Sequence, residues 1–197
     1  ILSTKLGELS AILGTVLLGM KEPLAAMHVL WVNLMVESLI AIPFSMAKND
    51  DSLMENKPRA KNESIFNNMI LRLLLSATYV GLTVFGVYLF ITKTTGNHVL
   101  ATTAAFIVMA NSPAIYALSI NSSKLFYEKD FFENKILNAA IGIALILNAM
   151  LVLIPDLAKF FKLEAMSMLG YAQYLLLALI PFVLMEITKF IKMKYKK

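Results

Sequence analysis

Lys5, Glu8 and Glu37 are ionisable side chains set inside stretches apolar enough to lie in lipid. A formal charge at bilayer depth costs roughly 3 kcal/mol on insertion scales, so it persists where it is paired or faces a polar cavity. Lys5 and Glu8 are three residues apart and share a helix face, and Asn33 and Glu37, four apart, share one on the next segment. Carboxylate and amide oxygens suit a hard cation. Glu8, Asn33 and Glu37 therefore read as candidate metal ligands, with Lys5 as a built-in counter-charge. Asn111 and Asn148, on later segments, are candidates for further oxygens. The other account of the same residues is a structural salt bridge, in which Lys5 neutralises Glu8 or Glu37 and fixes helix register.

The elements that must hold these groups are membrane spans. Apolar residues make up 58% of the chain, charged residues 16%, and the mean hydropathy is +0.70. A helix needs roughly 20 residues to cross a hydrocarbon core. About six segments reach that length, at 1–20, 25–47, 67–92, 99–119, 136–154 and 172–190. They lack the alternation of barrel strands and are too long for them. The expected fold is an all-α polytopic membrane bundle of about six transmembrane helices, occupying 1–197 as one domain. The absence of cysteine excludes disulfides, thiolate metal sites and cysteine nucleophiles.

Loop charge sets the expected orientation. The loops around 48–66 and 120–135 and the tail after Phe190 hold most of the loop Lys and Arg, among them Lys57, Arg59, Lys124, Lys129, Lys192 and Lys197. The opposite side has Lys21, Lys93, Lys159 and Lys162. The positive-inside rule then puts the C-terminus in the cytoplasm. The net charge of +5 suits anionic lipid head groups, so the lipid bilayer is the expected partner. No basic array interleaved with stacking aromatics points to nucleic acid.

Other features read as structural. The chain opens on Ile1 with no initiator methionine, charged leader or cleavage site, so the expectation is a piece of a longer protein with material missing before it. The short turns at 21–23 and 93–98 predict antiparallel neighbours. Asp50 and Asp51 read as a solvated loop face. The stretch 155–171 predicts a short amphipathic helix at the interface. Pro43, Pro113 and Pro181 would free the carbonyls of Leu39, Met109 and Leu177, and the first of these lies near Glu37. Glu186 and Arg72 are expected to reach interfacial water, and His28 and His98 to lie incidentally near the outer surface.

The chain resembles a known family at the same residues. Leu6-Gly7-Glu8, then Leu30-Trp31-Val32-Asn33-Leu34 with an acid at 37, is similar to the fifth and sixth membrane helices of P2-type, calcium-pump-like cation-transporting P-type ATPases. The likeness continues through Met54-Glu55-Asn56-Lys57-Pro58-Arg59 and, more faintly, Phe161–Ala165 and Glu186–Phe190. It implies that the six spans are helices five to ten of a ten-helix pump. It also implies that Glu8, Asn33 and Glu37 stand at ion-ligating positions. Partners would then be the remaining N-terminal helices and cytoplasmic domains of the same pump. ATP and magnesium would bind in those missing domains, because no DKTGT motif or glycine-rich phosphate cradle occurs here. No catalytic residue or cofactor is expected in this piece, which should not hydrolyse ATP alone.

The departures from the pattern bear on the ion. The sarcoplasmic calcium pump, the best-known member, carries Asn where this chain has Lys5, Thr where it has Val36, and Asp where it has Glu37. The acid on its eighth helix has no counterpart in Val108-Met109-Ala110-Asn111. Two carboxylates offset by one ammonium leave about one negative charge, which suits a single calcium, a monovalent ion or a proton better than two calcium ions. A non-transporting helical scaffold or subunit with structural intramembrane salt bridges is the alternative.

Overall fold

The computed structural model describes residues 2–46, 70–121, 125–127 and 132–195, without the side chains of Arg72 and Tyr195. The loop features at Asp50, Asp51 and 54–59, the lysines at 57, 124, 129, 196 and 197, and the reach of Arg72 fall outside these. All regular structure among the described residues is helical. The elements are α1 (Leu2–Leu17), α2 (Ala26–Trp31), a π-helical segment (Val32–Glu37), α3 (Ser38–Ser45), α4 (Ile70–Thr95), α5 (His98–Asn121), α6 (Lys135–Leu153), α7 (Pro155–Phe160), α8 (Met168–Ala178) and α9 (Ile180–Tyr195). Five helical stretches are long and apolar enough to cross a membrane: 26–45, 73–95, 98–121, 135–153 and 168–194. The first predicted span is a shorter helix of 16 residues, α1, which carries the lysine and glutamate. The short helix expected in 155–171 is α7, with Pro155 at its first turn.

Local sequence explains where the helices stop. Gly19 takes φ +65°, and the Gly19 and Met20 amides donate to the carbonyls of Val16 and Thr15 at 2.9 and 3.0 Å. That is a left-handed helix cap, which favours glycine. The turn after α4 is tighter than predicted: the helix runs through Thr95 and only Gly96 and Asn97 separate it from α5. The Asn97 side chain then caps α5 by accepting from the Leu100 amide at 3.1 Å. Asn134 and Ser167 cap α6 and α8 in the same way.

α5 is the axis of the bundle. It packs against α4, α6, α8, α9 and the π-helical segment, and 18 of its 24 residues are buried. Its Ala, Ser and Thr content makes this possible, since small residues let helix backbones approach from every side. A buried amide network ties three other helices, α2, α6 and α8, to it. Asn148 accepts from Trp31 Nε1 at 3.0 Å and donates to Asn111 Oδ1 and the Ala110 carbonyl, each at 3.1 Å. Tyr171 adds a longer contact to Asn111 Oδ1 at 3.4 Å.

α1 has one close backbone partner, α4, rather than the segment that follows it in sequence. Gly7 of α1, on a face it shares with the buried Ser3 and Ala11, meets Ala77, Val80 and Gly81 of α4. A Cβ on Gly81 would sit 2.9 Å from the Gly7 carbonyl oxygen, and one on Gly7 would sit 2.8 Å from the Ala77 oxygen. The short turn does place α1 beside the π-helical segment, but long side chains bridge that seam.

Two expectations about position are corrected. His28 is not a surface group: it is 1% exposed, its Nδ1 accepts from the Ala25 amide at 3.1 Å, and its Nε2 lies 2.6 Å from the Phe161 carbonyl. Satisfying both ring nitrogens is what allows burial. Glu186 does not reach water either, being 5% exposed. Its carboxylate accepts from Ser119 Oγ at 2.6 Å, the Phe126 amide at 3.1 Å and Lys189 Nζ at 2.8 Å, pinning α9 to α5 and the chain beyond it.

Candidate functional site

Four of the six residues singled out in the sequence meet at the seam between α1 and the π-helical segment. Lys5 Nζ lies 3.1 Å from Glu8 Oε2 and 3.1 Å from Glu37 Oε1, and it donates to Asn33 Oδ1. The ammonium thus sits among three oxygen-bearing side chains from two elements. The Glu8 and Glu37 side chains are 6% and 9% exposed, against 31% for Lys5. The carboxylates line the inside of the seam and the lysine closes its open side.

The π-helical segment contains both Asn33 and Glu37. Such segments are rare and occur mostly as single-turn bulges within α-helices, frequently at functional sites. Pro43 had suggested local unwinding around Leu39, yet the irregular turn lies upstream, over Val32–Glu37, and Ser38–Ser45 is regular α-helix containing the proline. Val32 and Val36 bury the opposite side of this turn at 1% exposure each. Packing on one side and polar contact with α1 on the other hold it in place.

Two oxygen positions bear on what the cluster can bind. Glu8 Oε1 is buried and has no hydrogen-bond partner among the described residues. A buried carboxylate oxygen left unpaired is costly, so it marks an acceptor with unused capacity. Glu37 Oε1 is held from two sides, by Lys5 and by Thr4 Oγ1 at 2.9 Å. Thr4 was not anticipated. Its only sequence signal is the four-residue spacing that sets it on the face of Glu8, and uncharged threonines are common in helices.

A crevice of about 360 Å³ leads away from Thr4 and Glu37 between α3 and α5, past Ile40, Phe44, Pro113 and Tyr116. Asn111 is not in the cluster. Its Nδ2 donates to the Ile107 carbonyl at 2.7 Å, and its Oδ1 is engaged by Asn148 and Tyr171. Asn148 is committed to the same network. Among the described residues no group of three His, Cys, Asp or Glu side chains gathers as a metal cage.

A helical membrane bundle that buries two carboxylates around one ammonium belongs to the class of membrane proteins with an ionisable centre between spans. Comparison with known proteins narrows it. The family model "Cation transporting ATPase, C-terminus" matches residues 21–191. The chain belongs to this family of cation transporting ATPases and represents its C-terminal membrane part. Calcium-transporting ATPase 1 of Bacillus cereus is 29% identical over 209 residues, covering 98% of this chain and 24% of that protein. Calcium-transporting ATPase type 2C member 2 of Rattus norvegicus is 30% identical over 191 residues, covering 95% and 20%. Calcium-transporting ATPase 1 of Saccharomyces cerevisiae is 28% identical over 197 residues, again covering 95% and 20%. The chain therefore spans a quarter or less of the length of these relatives.

Proposed function

We propose that this chain is the membrane part of an ATP-driven cation pump, to which α1 and the π-helical segment contribute an ion site made of Glu8, Asn33 and Glu37. Lys5 is its built-in cation. The observation that carries this reading is the contact of one ammonium with both carboxylates and the amide oxygen, within a chain of the cation transporting ATPase family. Two carboxylates and one ammonium leave one negative charge, so the site takes one cation rather than two divalent ions. The names of the calcium-transporting relatives make calcium the first ion to test, as a single ion, with a monovalent cation or proton next. ATP and magnesium act in domains outside this chain, and the preceding helices complete the site. The bundle lies in a cell membrane with its C-terminus in the cytoplasm, as the loop lysines favour.

The test is ATP hydrolysis and transport by the full-length protein, with calcium, manganese, sodium, potassium and pH varied in turn. One cation should stimulate turnover, and Glu37→Gln should abolish that stimulation. Turnover indifferent to every cation would leave the buried charges as a structural salt bridge. Thr4 supplies a finer check, because its hydroxyl fixes the oxygen of Glu37 that also meets Lys5. Thr4→Val is expected to weaken apparent cation affinity about fivefold, the equivalent of one hydrogen bond of roughly 1 kcal/mol. Thr4→Ser should retain it. Equal loss in both variants would assign Thr4 to packing instead.

A further inference from the structure

The π-helical turn holds one residue more than a regular α-helix would place there, and its neighbours must keep that residue in. Relaxation to α-helix would turn one flank of the bulge against the other by roughly 100°, so the bulge lasts only while both flanks are held. Side chains of α1 reach the turn, but the backbone of α1 lies against α4. Both flanks are held instead by α6, which contributes nothing to the charged cluster.

The upstream anchor is Trp31, the last residue of α2 and the one before the turn begins. Its Nε1–H donates to Asn148 Oδ1 on α6 at 3.0 Å, and its ring meets Phe161 edge-on at 5.5 Å. An indole held by its N–H and by its ring fixes the direction in which its helix faces. The downstream anchor is α3, which packs along the same α6.

Asn148 can serve Trp31 in one orientation only. It is 1% exposed, and its Nδ2 donates to the Ala110 carbonyl and to Asn111 Oδ1, each at 3.1 Å. A flipped amide would set Nδ2 against the indole N–H and lose both bonds to α5. The upstream anchor is therefore referenced to α5, the helix on which the turn itself packs.

We propose that Asn148 and Trp31 are positioning residues, which lock the π-helical register through one buried hydrogen bond and thereby set cation affinity. The effect on affinity rests on the ion-site reading; the lock on the turn does not. Asn33, the second residue of the turn, follows the upstream flank, whereas Glu37, its last, runs on into α3. Loss of the Trp31–Asn148 bond frees the upstream flank to rotate. Asn33 Oδ1 then leaves Lys5 while Glu37 stays, and the cluster loses its amide oxygen.

The test reads two quantities in the full-length protein: the half-activating cation concentration for ATP hydrolysis, and amide hydrogen exchange over 32–37. Trp31→Phe removes the N–H and keeps a ring against Phe161, while Asn148→Leu removes the acceptor. Each should raise the half-activating concentration about tenfold and leave maximal turnover nearly unchanged. Exchange over 32–37 should quicken in both. The double variant should lose no more than the worse single one, since both remove the same bond. Tyr171→Phe takes a hydroxyl from Asn111 at the far end of the same network. It should lower the thermal midpoint and leave both readouts at wild-type values. Equal shifts in Tyr171→Phe, additive losses in the double variant, wild-type readouts in both single variants, or faster exchange without a change in affinity would each overturn the proposal. Wild-type turnover indifferent to every cation would end the ion-site reading instead, and exchange over 32–37 would still decide whether Asn148 locks the turn.

Discussion

Replacing Lys5 with asparagine is expected to raise the apparent affinity of the full-length protein for a divalent cation by about tenfold or more. The ammonium touches Glu8, Glu37 and Asn33 together, so it competes for the oxygens an incoming cation would use. Removing it takes the cluster from one net negative charge to two and adds an amide oxygen in place of a donor. Unit charges about 4 Å apart interact by roughly 4 kcal/mol at the effective dielectric near a protein surface. Even a third of that corresponds to about a factor of ten in binding. Lys5→Met separates the two contributions, because it removes the charge without supplying an oxygen. Calcium and manganese activation curves of ATP hydrolysis measure both variants. Half-activating concentrations unchanged from the wild type in both would rule out Lys5 as an occupant of the ion site.

The charged cluster was legible in the sequence because intramembrane charge is rare and helical spacing is regular. Lys5 with Glu8, and Asn33 with Glu37, follow from spacings of three and four residues alone, and the structure brings the two pairs together. What spacing could not supply is the choice of partner between helices. Asn111 carries the same donor and acceptor groups as Asn33, yet it turns to Asn148 and Tyr171 because α5 is enclosed on every side. His28 and Glu186 sit near span ends, where hydropathy predicts access to water, but both are buried with their polar atoms satisfied. Partners distant in sequence, Phe161 for His28 and Ser119 for Glu186, make that possible. The π-helical turn is equally illegible, since its stretch Val32–Glu37 has ordinary helix-compatible residues, and its packing on α5 and side-chain links to α1 are long-range.

Gly81→Leu is expected to disable the proposed ion site from outside it. Gly81 and Gly7 bring α4 and α1 together with backbone against backbone, at a distance that leaves no room for a Cβ on either. The atom in the way is the Gly7 carbonyl oxygen, which cannot move aside as the end of a flexible side chain could. Even Gly81→Ala forces the helices apart, at a cost of about 1–3 kcal/mol typical of overpacking, and leucine costs more. The displacement falls on α1, which carries Thr4, Lys5 and Glu8, while Asn33 and Glu37 stay with the helices packed around α5. Cation-stimulated turnover should therefore fall together with the thermal midpoint. Gly86, on the same helix, is the control: nothing lies within 4 Å of where its Cβ would be. Gly86→Ala should be neutral or stabilise by about 0.5–1 kcal/mol, because glycine within a helix is less favourable than alanine by that amount. Equal losses of stability and cation response in Gly86→Ala and Gly81→Ala would show that the close approach of α1 to α4 is not what makes Gly81 sensitive.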